Sequence, residues 1–275
     1  MISVQMPVTR SRFLFPAIKS VIDQTSNNWE LVILLDGPTP VEKQRIEEII
    51  SRFKGQGKIR RYSQKKCGIG VTRQRLFKLT RLKYILPLDD DDMLMPGCVE
   101  EFTDFIEKNK NFAIARGCFY EIGENIVSWK QLSPHILGGK FSVPLRLKKF
   151  GLPLNPGNVS QPYLLNRGYL EKIGWLRFRK RFGYIEDVDL FIRMEEVGRI
   201  KTINKLLYLK RNHQNSLLAG MNEEERLALL VYYVNKTIKR RKIQAKISKI
   251  YKKWAMDSTG CRRYQYFFDY AKNKN

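Results

Sequence analysis

The segment Trp29-Glu30-Leu31-Val32-Ile33-Leu34-Leu35-Asp36 constrains the fold most. It is almost continuously apolar until it stops at Asp36-Gly37-Pro38. A strand with no polar face has to be covered on both sides, as the strands of a parallel sheet wrapped by helices are. Its surroundings agree. Residues 2–8 predict a short strand at Pro7. Residues 12–24 predict a helix with Phe13, Ala17, Val21 and Ile22 on one side and Pro16 in its first turn. Residues 40–54 predict a second helix, with Thr39 as N-cap and Pro40 at the first helical position. A third strand over 58–63, a helix over 70–82 and a fourth strand running into Asp89-Asp90-Asp91-Asp92 complete the pattern. This β-α-β-α-β-α-β alternation predicts a parallel α/β sheet with right-handed crossovers. Ligands bind such sheets beyond the carboxyl ends of the strands. Thr9, Asp36 and Asp89 to Asp92 all end predicted strands, so they should meet at one edge.

Beyond residue 96 the regularity fades. Residues 97–109 predict a helix, and 113–123 a strand leading into a hairpin. Residues 133–160 are rich in Gly and Pro and predict loops. A short helix is expected over 166–174, another beginning near Glu186-Asp187, and a strand over 201–213. From Met221 to Asn275 there are 14 Lys and Arg against 5 Asp and Glu. Ile243, Ile247, Ile250 and Trp254 there follow the 4-3-4 spacing of a basic amphipathic helix. The expected organisation is a catalytic domain over 1–220, its first 95 residues binding nucleotide and 96–220 facing the acceptor. A basic helical extension over 221–275 follows.

Composition sets the classes of partner. The 275 residues are 43% hydrophobic, enough for a sizeable core. They carry 51 Lys and Arg against 27 Asp and Glu, a formal charge of +24. Such a chain is drawn to nucleic acid, anionic membrane or phosphorylated small molecules. No apolar run approaches the ~18 residues of a membrane span, and the first residues do not read as a signal peptide. Four scattered Cys and two His disfavour a zinc site, and a reduced cytoplasmic setting fits them.

Three clusters carry potential chemistry. Asp89 to Asp92 place four carboxylates at one strand end. They repel one another unless a positive charge sits among them, and Mg²⁺ or Mn²⁺ would neutralise them. Glu186 and Asp187, with Asp189 just beyond, form a second acidic cluster able to supply a general base; complementing a helix dipole is the plain alternative. Arg211-Asn212-His213 with Ser216 suits diphosphate oxygens or a metal shell. Gly68-Ile69-Gly70 before a helix can admit phosphate to backbone amides, although the pattern is common.

These elements, in this order, resemble a family-2 glycosyltransferase of the GT-A fold. The resemblance rests on Met6-Pro7-Val8-Thr9-Arg10, Ser20-Val21-Ile22-Asp23-Gln24-Thr25, Trp29-Glu30-Leu31 and Leu35-Asp36-Gly37-Pro38. It continues in Thr72-Arg73-Gln74, Asp89 to Asp92, Gly183-Tyr184-Ile185-Glu186-Asp187 and Arg211 to Ser216. It implies that Asp36 and the backbone from Pro7 to Thr9 line the base pocket, and that Arg73, Asp89, Asp90 and Arg211 face the donor. It also implies Asp91 and His213 as metal ligands, Asp187 as the catalytic base, and Glu186 and Val188 on the acceptor side. Leu35 and Pro38 depart from the family's Asp-Asp-Gly-Ser turn, and Val188 replaces its usual aromatic residue.

The expected activity is inverting transfer of a sugar from a nucleotide-diphosphate donor to a hydroxyl. The acceptor expected is a lipid-linked or cell-surface glycan, reached at the inner face of the membrane. Two alternatives stay open at this level: transfer to hydroxylated bases of DNA, and an inactive module that binds nucleotide or membrane.

Overall fold

A computed structural model describes residues 1–55, 58–132, 161–176 and 186–214. On β1 (Ile2–Val8) the residues Ile2, Val4, Met6 and Val8 enter one core. Ser3 and Gln5 face the other way and are also buried. β2 (Trp29–Asp36) splits likewise, Leu31, Ile33 and Leu35 to one side and Val32 and Leu34 to the other. The period-2 pleat of two doubly covered strands thus creates two cores.

Helices α1 (Leu14–Ile22), α2 (Pro40–Ser51) and α4 (Cys98–Lys108) supply the first core, through residues such as Leu14, Ile46 and Phe102. On the other face α3 (Ile69–Leu79) packs Leu76 against Val32 and Leu34. Its Phe77 joins a core with α5 (Arg167–Lys172) and α6 (Glu186–Val197), which contribute Leu170, Leu190, Phe191 and Met194. Thr39 caps α2, its hydroxyl accepting from the Glu42 amide, with Pro40 at the first helical position.

The remaining strands are β3 (Ile59–Gln64), β4 (Tyr84–Pro87), β5 (Met93–Leu94), β6 (Ile114–Ile122), β7 (Tyr163–Asn166) and β8 (Ile200–Arg211). The eight form one sheet in the order β3-β2-β1-β4-β7-β6-β8-β5. β1 to β4 are mutually parallel and β6 runs parallel to β8. β7 is antiparallel to β4 and β6, and β5 to β8. The mostly parallel α/β sheet with flanking helices is the one expected from the alternation.

Among the described residues no strand follows β6 closely enough to form the hairpin expected after residue 122. The antiparallel partner of β6 is β7, where Ile114 faces Leu165, 51 residues onward. Strand partners are chosen by burial of matching faces, here Ile114, Tyr163 and Leu165 in one core, rather than by nearness in the chain. β5 and β7, of two and four residues, are too short for a period-2 pattern to register. The loops over 133–160 and the basic extension over 221–275 lie outside the described residues. Among the described residues no helix is long and apolar enough to cross a membrane.

The turn after β2 has one steric requirement. Gly37 has φ of 56°, and a Cβ there would lie 2.3 Å from the Lys66 backbone nitrogen. Backbone meeting backbone cannot be relieved by rotating a side chain. Gly37→Ala adds left-handed strain of about 1–2 kcal/mol to that overlap. A total loss of about 3 kcal/mol is expected, within the range of backbone-strain mutations, read as a fall in Tm of about 6–12 °C. An unchanged Tm would mean that the 65–68 loop does not pack on this turn.

Candidate active site

β4 ends at Pro87, and the chain runs through Leu88 into the four-carboxylate turn. The four carboxylates meet partners from three other parts of the chain. Asp89 accepts from the Arg73 guanidinium of α3 at 2.6 Å. Asp90 accepts from the Thr9 amide, just past β1, at 3.1 Å. Asp91 Oδ2 lies 2.9 Å from His213 Nε2, beyond β8. Asp92, 4% exposed, accepts from the Tyr208 hydroxyl at 2.7 Å and the Arg211 amide at 2.6 Å. The expected convergence of strand ends is therefore formed at Thr9 and the acidic turn.

The electrostatics are those of a turn short of positive charge. Burial, then the charge of Asp91, pushes Asp90 up to about 7, while the Thr9 amide pulls it down. Burial and the charge of Asp89 raise Asp91, with His213 opposing. Burial, then Asp91 and Asp89, raise Asp92 well above the usual carboxylate range.

Arg211 is turned inward. Its Nε donates to the Asp91 carbonyl at 2.8 Å, and one terminal nitrogen donates to the Gly123 and Glu124 carbonyls at 2.9 and 3.0 Å. The guanidinium lies 4.4 Å from the centroid of Phe13 and the residue is 3% exposed. Two residues on, His213 packs beside the same ring at 5.3 Å. In the sequence Tyr208 does not stand out, Phe13 reads only as part of an apolar helix face, and Asp92 only as one of the four-carboxylate run. An aromatic in a strand or helix face reads as core, and only the fold shows which atoms it reaches.

Asp36 is engaged within the protein. Its Oδ1 accepts from Gln64 Nε2 at 2.8 Å and the Cys67 amide at 2.9 Å, and its Oδ2 from the Gly68 amide at 2.9 Å. Burial pushes its pKa up, but the hydrogen bonds from Gln64, Cys67 and Gly68 prevail and hold it below the ordinary value. The Gly68 amide, a candidate phosphate donor in the sequence, thus serves Asp36. Pro7 is buried within β1, paired with Leu34, while Thr9 is exposed.

The second acidic cluster divides. Asp189 is not part of it: its carboxylate accepts from Arg193 Nε at 2.7 Å in a buried i, i+4 pair. Arg193 also donates to the Ile173 and Trp175 carbonyls at 2.8 and 2.9 Å. On a helix of 3.6 residues per turn, Asp187 points about 200° away from Asp189 and is half-buried. Gln74, next to Arg73 on α3, donates to the Leu176 carbonyl at 2.8 Å. Residues 177–185 and the side chains of Glu186 and Val188 lie outside the described residues.

Among the described residues no group of three or more His, Cys, Asp and Glu is set to hold a metal ion by itself. Asp91 and His213 supply two donors, a hard oxygen and an imidazole. That set fits Mg²⁺ or Mn²⁺, which bind through one or two protein ligands and take other positions from substrate phosphates and water.

The sequence matches glycosyl transferase family 2 over residues 3–174, and the chain belongs to that family. Among its relatives, chondroitin synthase of Escherichia coli is 25% identical over 231 residues, covering 81% of this chain and 29% of the relative. An uncharacterised glycosyltransferase of Methanocaldococcus jannaschii is 29% identical over 184 residues, 66% of this chain and 59% of that one. The chain therefore spans only 29% and 59% of these relatives' lengths. In structure it is similar to the mannosyltransferase PcManGT from Pyrobaculum calidifontis, solved in complex with GDP-Man and Mn²⁺. The TM-score is 0.66 at 10% identity, over 99% of this chain and 73% of that one. That likeness is one of fold, and the fold is GT-A.

The Asp36 network predicts a pH signature. A carboxyl held below its ordinary value stabilises the fold above about pH 4, the unfolded value, and that contribution is lost as pH falls through the folded one. Asp36→Asn puts an amide donor against the Cys67 and Gly68 amides. Its expected cost at pH 7 is about 2 kcal/mol, shrinking below about pH 4. Urea unfolding of both proteins at about pH 7 and pH 3.5 reads the difference; an equal gap at both would remove the carboxylate's role.

Proposed function

We propose that the chain is an inverting glycosyltransferase. It moves a sugar from a nucleotide-diphosphate donor to a hydroxyl of a lipid-linked or cell-surface glycan. The carrying observation is the meeting of the four-carboxylate turn with Arg73, the Thr9 amide and His213 at the carboxyl edge of a GT-A sheet. Family membership supports glycosyl transfer. A relative named chondroitin synthase supports a glycan acceptor.

In this reading Asp91 and His213 hold a divalent cation, Mn²⁺ or Mg²⁺. When bound, it neutralises charge developing on the departing diphosphate. Arg73, Asp89, Asp90 and the Thr9 amide line the donor side. Pro7 and Asp36 frame the base pocket, Asp36 by ordering the 64–68 loop. Arg211 acts as a positioning residue through the backbone of Asp91. Asp187 takes the acceptor hydroxyl's proton so that the oxygen attacks the anomeric carbon opposite the diphosphate, a single displacement that inverts the centre. Glu186 and Val188 stand on the acceptor side. The basic segment 221–275 holds the enzyme at the cytoplasmic face of an anionic membrane.

The test is release of nucleoside diphosphate from a panel of nucleotide-sugars with Mn²⁺ and no acceptor. One donor is expected to hydrolyse slowly, with loss on chelation and a fall of about 100-fold in Asp91→Asn. With that donor and an acceptor glycan, Asp187→Asn should cost about 100-fold or more in transfer. Silence across the panel, with no Mn²⁺-dependent thermal shift from any nucleoside diphosphate, would overturn the reading.

The raised Asp90 adds a pH prediction. Near pH 6 it is mostly protonated and near pH 8 mostly ionised, so the negative charge it adds beside the Asp91–His213 cation site is fuller at the higher pH. The Mn²⁺-induced rise in Tm should therefore be larger at about pH 8 than at about pH 6. The opposite order would separate the acidic turn from the metal.

A further inference from the structure

Forty consecutive residues, 49 to 88, contain twelve Lys and Arg and no Asp or Glu. They build the turn after α2, the strand β3, the helix α3 and the turn into β4. Three of the twelve are neutralised by carboxylates elsewhere: Arg60 by Glu30, Arg61 by Glu47 and Arg73 by Asp89. Lys54, Lys65, Lys66, Arg75, Lys78 and Arg81 are exposed and have no carboxylate partner among the described residues. β3 is the terminal strand of the sheet. Arg75 Nη1 donates to Gln64 Oε1 at 2.6 Å, which joins the end of that strand to α3. Arg75 and Lys78 are three residues apart on α3 and so share one face. The charges thus run from the loop beside Asp36, across the Arg75–Gln64 contact at the end of β3, onto α3, where Lys78 Nζ lies 6.0 Å from the centroid of the Trp175 ring.

Charge on an edge strand has a simpler use, since it blocks pairing with another sheet. That accounts for β3 but not for Arg75, Lys78 and Arg81, which lie on or after the helix. A field of one sign over this length is an attraction site for an extended anion. The unpaired charges are mostly Lys, a hydrated point charge on a flexible stem. They lack the planar forks that read individual phosphates in pairs. A diffuse, adaptable basic surface matches a fluid sheet of anionic headgroups, to which each basic residue adds attraction within a Debye length.

We propose that the β3–α3 edge docks on an anionic phospholipid surface, as a contact separate from the 221–275 segment. The choice of lipid over a soluble polyanion rests on the proposed membrane-associated acceptor. The docking itself would keep the donor loop at 64–68 close to the bilayer.

The test is co-sedimentation of the full chain with vesicles of phosphatidylcholine containing about 30% phosphatidylglycerol, and with pure phosphatidylcholine, at about 0.1 M salt. Lys65→Glu/Lys78→Glu/Arg81→Glu is compared with Lys108→Glu/Lys110→Glu/Lys172→Glu, an equal charge change at and just after the end of α4 and on α5. The edge variant should lower partitioning onto anionic vesicles about tenfold or more, and the control less than about twofold. Thermal unfolding of both confirms that they fold. Equal losses in the two variants would reduce the effect to net charge and overturn the proposal. So would equal binding to both vesicles, or an edge variant that loses retention of duplex DNA but not of vesicles. Donor hydrolysis is measured in parallel. A silent enzyme with no Mn²⁺-dependent thermal shift from any nucleoside diphosphate, but with edge-dependent vesicle binding, would sink the transferase reading and leave the docking surface standing. An active enzyme with no such binding would do the reverse.

Discussion

Mutual repulsion among Asp89, Asp90, Asp91 and Asp92 is the constraint around which the carboxyl edge of the sheet is arranged. Four carboxylates on consecutive residues do not hold together unless donors and cations come to them. Those partners arrive from the end of β1, from α3 and from β8. The turn therefore fixes how separated stretches of chain meet. Asp92 is the anchor of the group. It is buried under Tyr208 and the Arg211 amide, and so ties the end of β4 to the end of β8. Asp89, Asp90 and Asp91 are left half-buried at the surface of that anchor.

Arg211 and His213 show how one strand end serves both needs. Arg211 closes β8 and reaches under the turn to three backbone carbonyls, where a guanidinium with several donors is well suited. His213, two residues on, meets the Asp91 side chain instead. Both pack on Phe13, so α1 backs the same corner. The backbone of Asp91 is thereby held by one residue and its carboxylate by another. A side chain fixed in this way can be offered to a cation with little reorganisation.

Much of this was legible in the sequence, for identifiable reasons. The first four strands and α1 to α3 follow from long apolar runs, a Thr-Pro cap and strand ends marked by Asp or Pro. These signals are local. The gathering of Thr9 with Asp90 follows from where ligands meet parallel sheets, while that of His213 with Asp91 was to be expected only from the family resemblance. The failures share one cause. Whether Arg211 faces a diphosphate or backbone carbonyls, whether Asp189 belongs to a cluster or to Arg193, and which strand β6 pairs with depend on tertiary neighbours that residue spacing does not encode. Asp36 is an intermediate case. Its place at a strand end was readable, but its engagement with Gln64, Cys67 and Gly68 required the loop to fold back.

The same electrostatics explain the division of charge along the chain. An acidic turn that draws in Arg73, Arg211 and His213 gains from a basic surround, which lowers the cost of keeping its carboxylates ionised. It needs those few groups and no more. The exposed charges of the β3–α3 edge lie outside its contacts, and residues 49–88 hold no acid to balance them. Self-repulsion among them costs stability. A chain that keeps such an edge next to the 64–68 loop must therefore offset the cost elsewhere, and an anionic surface laid against that edge would do so without disturbing the acidic turn.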